Sequence, residues 1–379
     1  MVPDPGAPAP PDPAPAAAAL PAPAPPTTEL PAPVPATAAS PAAADRPVLY
    51  SFRRCPFAIR ARLALAAAGW RPGQELELRE VRLRAKPPEL LAIAPQATLP
   101  ALQLPAGAAL CQSLEIMDWA LDQHDPEGWS QGWSEAEQQT IQVLIAENDG
   151  PFKRHLDRTK YARRDSAAAL EQREGERQQA LAILRRWNAR LEAGGWLLGS
   201  RPALADIALL PFVRQFRLAD PGRFNAEVNL EPLRRWLGRY EESEALARVM
   251  AEPWGPRATW MSPSWLYHLA LRDDWQRAKL EGHYAYSSRG LPLQQVGFVH
   301  ASLAHQVGPT RQRFYADLPA AEVLLLAIDP ARLGPAGVEV RLEPAPPSGE
   351  LFPHLYPRLP LEAVIWSEPV GATAASHAA

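Results

Sequence analysis

Val48-Leu49-Tyr50-Ser51-Phe52-Arg53-Arg54-Cys55-Pro56-Phe57-Ala58-Ile59 sets a short apolar run before a proline-opened helix, with a cysteine at the junction. Residues 48–51 read as a strand, and the Ala-rich apolar stretch 59–68 reads as a helix. Proline suits the first helical turn, where no N–H partner is needed. Cys55 then stands at a helix N-terminus, where unpaired N–H groups and the helix dipole favour thiolate over thiol. A free cysteine is also an ordinary small buried hydrophobe. A reactive and an inert Cys55 both fit this stretch taken alone.

Beyond it the signals alternate. Leu76, Leu78, Val81 and Leu83 mark a second strand, and 88–93 a short helix. Ala101-Leu102-Gln103-Leu104 and Ala108-Ala109-Leu110 flank Pro105-Ala106-Gly107 as a hairpin, and a helix covers 113–123. The order βαβαββα, with a Cys after the first strand, is the thioredoxin-like α/β arrangement. Leu99-Pro100 falls where that fold holds a cis-proline beside the thiol. From 134 to 250 only helical periods appear: Leu181, Leu184, Trp187 and Leu191 make one apolar face, and Leu233, Trp236, Leu237 and Tyr240 another.

The 379 residues predict several domains, and a net charge of −3 gives no electrostatic case for nucleic acid or an anionic membrane. Two cysteines, Cys55 and Cys111, argue against a disulfide framework and fit a reducing cytoplasm. No apolar run is long enough to span a bilayer. Residues 1–46 are dominated by Pro and Ala and predict a disordered, semi-extended arm. They lack the basic start and apolar core of a secretory leader. Pro253, Trp254, Gly255, Pro256 and Pro263 mark 251–264 as a linker, and 371–379 read as a frayed tail. The predicted organisation is a thioredoxin-like domain at 47–126, an all-helical domain at 127–250 and a small α+β domain at 265–370.

Residues 47–250 resemble the omega class of glutathione transferases. The likeness rests on Arg54-Cys55-Pro56-Phe57-Ala58-Ile59-Arg60-Ala61-Arg62-Leu63, on Lys86-Pro87, Pro95 and Leu99-Pro100, and on Gln112-Ser113-Leu114-Glu115-Ile116. It implies a glutathione site. Cys55 would be the nucleophile and Lys86 the partner of the glycine carboxylate. The Leu99 backbone before Pro100 would pair with the cysteinyl part, and Gln112 with Ser113 would hold the γ-glutamyl end. Gln112 stands where the family carries an acid, so the ligand's ammonium meets no charge there. Arg201-Pro202-Ala203-Leu204-Ala205-Asp206-Ile207-Ala208 resembles the family's helix-capping motif, with Ala203 replacing the usual Ser or Thr at a cost of about 1 kcal/mol. The polar, Gly/Pro-broken stretch from Asn148 to Tyr161 would border the electrophile pocket, with Phe152 and Tyr161 as apolar walls. A solvated helix turn explains it as well.

In the last third, Leu266-Tyr267-His268, Gly297-Phe298-Val299-His300-Ala301-Ser302 and Gly349-Glu350-Leu351-Phe352-Pro353-His354 resemble the family known as domain of unknown function 952. That family is distantly similar to ADP-ribosyltransferases. The likeness implies His268 on an NAD ribose, His300 and Ser302 along a cleft, and Glu350 as the orienting carboxylate. A binding or structural domain is the alternative. The histidines show no HxH or HxxxH spacing, so no metal is expected.

The sequence thus predicts a glutathione-dependent thiol transferase or reductase. Ala58 stands three residues after Cys55, so the mechanism is monothiol and a second glutathione resolves the intermediate. The second substrate would be a small molecule or a protein disulfide, and family likeness implies a homodimer. The rivals are a non-catalytic binding or dimerisation module and NAD chemistry in the last domain.

Overall fold

A computed structural model describes residues 46–163, 165–251 and 260–370. The expected arm and tail, and most of the expected linker, lie outside these residues. Among the described residues no helix is long and apolar enough to cross a membrane.

The first unit runs β1 (Val48–Ser51), α1 (Pro56–Ala67), β2 (Glu77–Glu80), α2 (Pro88–Ile93), β3 (Ala101–Gln103), β4 (Ala109–Leu110) and α3 (Ser113–Gln123). Its sheet has the order β2-β1-β3-β4, with β1 parallel to β2 and antiparallel to β3. This is the thioredoxin-like arrangement. Strand β1 is buried on both faces, and its side chains alternate. Leu49 joins Ile59, Leu63, Ile116 and Met117 beneath α1 and α3, while Val48 and Tyr50 join Val81, Leu90 and Ala101 beside α2. Each such fully buried aliphatic side chain contributes about 1.5–3 kcal/mol. The second strand is shorter than its apolar alternation suggests. It ends at Glu80, a bridge between Arg82 and Ala85 turns the chain, and Leu83 is exposed.

The helical unit comprises α4 (Glu135–Glu147), α5 (Lys153–Tyr161), α6 (Ala167–Leu191), α7 (Leu204–Ala219), α8 (Pro221–Ala226), α9 (Glu231–Glu241) and α10 (Glu244–Ala251). A π-helical turn, Asn148–Phe152, joins α4 to α5 without a break. Pro151 has no N–H to continue the α ladder, and the Lys153 N–H reaches back to the Asn148 carbonyl, five residues away. Helix α7 is the central helix, apolar on most of its surface as a helix enclosed by others must be. Its start is capped from within the motif. The Asp206 carboxylate accepts from the N–H of Ala203 at 2.9 Å and of Leu197 at 3.1 Å, and from Trp236 Nε1 at 2.8 Å.

The third unit holds β5 (Leu266–Leu271), α11 (Arg272–Glu281), β6 (Tyr286–Ser288), β7 (Leu291–Pro292), α12 (Leu293–Val296), β8 (Val299–His300), α13 (Val307–Phe314), β9 (Val323–Ile328), β10 (Glu339–Ala345), β11 (Glu350–Tyr356) and β12 (Val364–Pro369). Two three-stranded sheets, β12-β9-β5 and β10-β11-β8, accompany the small hairpin β6-β7. Strand β9 is wholly buried, as its unbroken apolar run requires. The described end of the expected linker is not a free tether: residues 260–264 pack on the thioredoxin-like unit, with the Trp260 N–H on the Glu80 carbonyl.

Burial pushes the Asp206 carboxyl up to about 6. A raised native value means the fold binds this proton more tightly than the unfolded chain does. The Asp206 contribution to stability therefore rises as pH falls through the window from about 6 to 3.8. Asp206→Ala strands three buried donors and is expected to cost about 3 kcal/mol in urea unfolding of the helical unit. Between wild type and Asp206→Asn, the stability difference should move in favour of wild type on going from pH 7 to pH 4. A constant difference would refute a raised carboxyl.

Candidate functional site

Cys55 occupies the N-cap of α1, in extended backbone, with Pro56 at the first helical position. Its Sγ lies 3.8 Å from the Leu99 carbonyl, and the Leu99-Pro100 bond is cis. Cys55, Leu99 and Pro100 therefore come together. The charge state departs from the sequence expectation. Burial of the thiol pushes it up and outweighs the Ala58 and Phe57 N–H groups, Lys153 and Arg62, all of which pull it down. The helix start acts as expected but is overridden by desolvation. Lys153 comes from α5, so the helical unit contributes to the field at the thiol. Phe57, two residues on, stacks edge-on against Phe212 of α7 with centroids 4.8 Å apart.

Ser113 is the first residue of α3 and is buried; Gln112, the N-cap before it, is exposed. The Gln112 N–H donates to Glu115 at 3.1 Å. A residue that the sequence reading passed over organises this end. Arg60 is 1% exposed; its Nε donates to Ser113 Oγ at 3.0 Å, and its two terminal nitrogens donate to the two oxygens of Asp149 at 2.8 Å each. Arg60 lies one and a half turns after Cys55, within the quoted motif, and its cation, with that of Arg62, in an otherwise apolar helix was the available signal. Lys86 is half-buried, on the turn between β2 and α2, with no hydrogen-bond or ion-pair partner among the described residues.

Two expectations fare differently. Phe152 is not a pocket wall: it is fully buried against Trp187 and Phe216, with centroids 4.9 and 5.9 Å away. The π turn rotates it into the helical core. Tyr161 is 71% exposed at the end of α5 beside Lys160, so it lines no enclosed pocket. Cys111 is half-buried beside α2, with Sγ 3.7 Å from the Ile93 carbonyl, and both cysteines are free.

In the third unit His268 and His300 come together. His268 Nδ1 meets the His300 carbonyl at 2.6 Å, and its Nε2 meets the Tyr284 hydroxyl at 2.9 Å. Burial pulls His268 down to about 4, so the ring is neutral. A carbonyl can only accept, so Nδ1 carries the proton and Nε2 accepts from Tyr284. Both nitrogens are thus engaged internally, which leaves none for a ribose. His300 Nδ1 contacts Ser287 Oγ at 2.9 Å, and Ser302 exchanges backbone hydrogen bonds with Tyr267 at 2.7 and 2.9 Å. Glu350 does not join this group. It is exposed, and accepts from Gln306 Nε2 at 2.8 Å. The carboxylate beside the histidines is Glu343, whose Oε2 meets His354 Nδ1 at 2.5 Å and the Tyr356 hydroxyl at 2.8 Å. Among the described residues no group of three or more His, Cys, Asp or Glu is arranged to hold a metal ion.

Residues 49–128 match the family model for the glutathione S-transferase N-terminal domain, and residues 168–239 match that for its C-terminal domain. Residues 269–367 match the model for a protein of unknown function, DUF952. Two segments of the chain thus match the two domains of a glutathione S-transferase, and a third segment matches DUF952. Among solved structures it is similar to glutathione transferase Omega 3C from Trametes versicolor, at 21% identity, covering 56% of this chain and 87% of that one with a TM-score of 0.46. It is also similar to a glutathione transferase from Burkholderia graminis, solved with two glutathione molecules bound per subunit. That match has 22% identity, covers 59% of this chain and 92% of that one, and has a TM-score of 0.47. No curated protein sequence matches the chain.

In the glutathione S-transferase part, the thiol's balance of burial against N–H groups and Lys153 is open to direct titration. Thiolate absorbance of Cys111→Ser protein should rise with a midpoint above the roughly 8.5 of an ordinary cysteine. Lys153→Met should move that midpoint higher still. A midpoint at or below the ordinary value would show that the helix start, and not burial, governs Cys55.

Proposed function

We propose that the chain is a glutathione-dependent thiol transferase with Cys55 as a monothiol nucleophile. The observation that carries this reading is the placement of the Cys55 sulfur. It lies at the N-terminus of α1, facing the Leu99 carbonyl at the cis-proline, with N–H groups and a lysine biasing it toward thiolate. The Cys55 thiolate attacks the glutathione sulfur of a mixed disulfide. A Cys55–glutathione disulfide forms, and the partner leaves as thiolate and takes up a proton. The thiolate of a second glutathione then attacks the glutathione sulfur of that adduct, releasing glutathione disulfide and restoring Cys55.

The remaining roles belong to the same proposal. Lys86 meets the glycine carboxylate, and the Leu99 backbone pairs with the cysteinyl part. The Ser113 N–H and hydroxyl, at the start of an eleven-residue helix, face the γ-glutamyl carboxylate with Gln112 beside them. Arg60 orients the Ser113 hydroxyl. A small-molecule or protein disulfide is the second substrate, a homodimer is the assembly, and a reducing compartment such as the cytoplasm suits the chemistry. The upward push on Cys55 favours one rival, a glutathione-binding module without turnover.

Intact mass spectrometry after exposure to glutathione disulfide separates the two. An adduct of one glutathione is expected, lost in Cys55→Ser and retained in Cys111→Ser, with release on adding reduced glutathione. Absence of the adduct in wild type, or its persistence in Cys55→Ser, would overturn the proposal.

A further inference from the structure

Between β2 and α2 the chain runs Val81-Arg82-Leu83-Arg84-Ala85-Lys86-Pro87, and residues 260–264 with the C-terminal unit hold its flanks on both sides of Lys86. On the near side, the Trp260 N–H donates to the Glu80 carbonyl at 3.0 Å, and the Arg79 guanidinium lies 4.4 Å from the centre of the Trp260 ring. Arg82 pairs with Glu368 and lies 5.1 Å from the Trp366 ring centre. Ala85, next to Lys86, packs into the cluster of Trp265, Tyr267 and Trp366. On the far side, both oxygens of Glu89 accept from Ser262 Oγ at 3.0 Å, and one accepts from Ser264 Oγ at 2.6 Å. Ser262 is fully buried in this contact.

The flanks of Lys86 are thus fixed by hydroxyls, a carboxylate and aromatic rings from residues 260–264 and the C-terminal unit, while Lys86 itself has no hydrogen-bond or ion-pair partner among the described residues. A lysine on an unsupported turn loses chain entropy when it meets a ligand. A turn already held in place loses less, and the difference appears as affinity. We infer that residues 260–264, together with the C-terminal unit they lead into, are a positioning wall of the glutathione site: they hold the chain on both sides of Lys86 so that it is presented to the glycine carboxylate. This rests on the role of Lys86 proposed above. The wall then acts on one end of the ligand only, and Ser262, Ser264 and Glu368 are positioning residues that act through Lys86.

The glycine monoethyl ester of glutathione, which lacks the carboxylate charge but keeps the rest of the ligand, makes the effect specific. Binding of both compounds is measured by calorimetry on the full chain, for wild type, Lys86→Ala, the double variant Ser262→Ala/Ser264→Ala, and Glu368→Gln. Wild type should prefer glutathione to the ester. In all three variants the Kd for glutathione should rise about fivefold or more, while that for the ester stays within about twofold of wild type. Glutathione affinity unchanged in Ser262→Ala/Ser264→Ala and in Glu368→Gln, with Lys86→Ala still weakened, would overturn the positioning role alone. Equal weakening toward both compounds would overturn it too, as a general loosening of the fold. No loss in Lys86→Ala, or no binding of glutathione by wild type, would remove the Lys86 role and this inference with it.

Discussion

The Arg60 guanidinium is the interaction on which both the site and the union of the thioredoxin-like and helical units depend. Removing such a charge from water costs several kcal/mol unless its donors are met. Here Nε is met by Ser113 and the two terminal nitrogens by Asp149, with the rings of Phe57 and Phe212 within 5.3 Å. The three anchors come from three places: the thiol-bearing helix α1, the first residue of α3, and the π turn after α4. None can shift without stranding a buried cation. The π turn has its own cause in Pro151, and Asn148 supports the outcome by donating to Asp149 at 2.8 Å. An irregular turn in the helical domain thereby sets the geometry at the start of α3.

The thiol shows a second opposition, whose magnitudes decide whether it matters. A pKa raised by one unit lowers the thiolate fraction at neutral pH about tenfold, but the more basic thiolate is intrinsically about threefold more nucleophilic in exchange. The net loss is therefore a factor of about three per unit. For a thiol buried like Cys55, disulfide exchange is therefore slowed rather than abolished. The same burial makes Lys153 more effective, since charges act more strongly where water is scarce. The helical unit thus reaches the Cys55 sulfur electrostatically, through Lys153.

The thioredoxin-like order was legible because its signals are local. Strand, proline-opened helix and hairpin each declare themselves within a dozen residues, and the helices 88–93 and 113–123 appear with those bounds. The position of Cys55 was legible for the same reason. Its charge state was not, because desolvation depends on what the rest of the chain places above the sulfur. Arg60 and Asp149 are 89 residues apart, and nothing near either one announces the other. Phe152 was misread because a π turn rotates every following side chain, and the sequence shows only a Gly-Pro interruption. In the DUF952 domain the resemblance makes Glu350 the ribose-orienting carboxylate. The register of β10 against β11 instead sets Arg341 opposite His354, which brings Glu343, two residues along the same face, within reach of the ring.

The docking of residues 260–264 also answers a constraint that would exist without any ligand. Strand β2 is an edge strand, and an open edge presents unpaired N–H and C=O groups to any passing chain. Charge protects part of it, since Glu77, Arg79 and Glu80 line this strand of four residues. Trp260 covers the rest, spending its N–H on the Glu80 carbonyl and its ring on Arg79 and Tyr50. Edge protection alone would need contacts only as far as Glu80. The contacts continue past the strand to Arg82, Ala85 and Glu89, where no ladder groups remain to be covered. That excess is what edge protection leaves unexplained, and it flanks Lys86 on both sides.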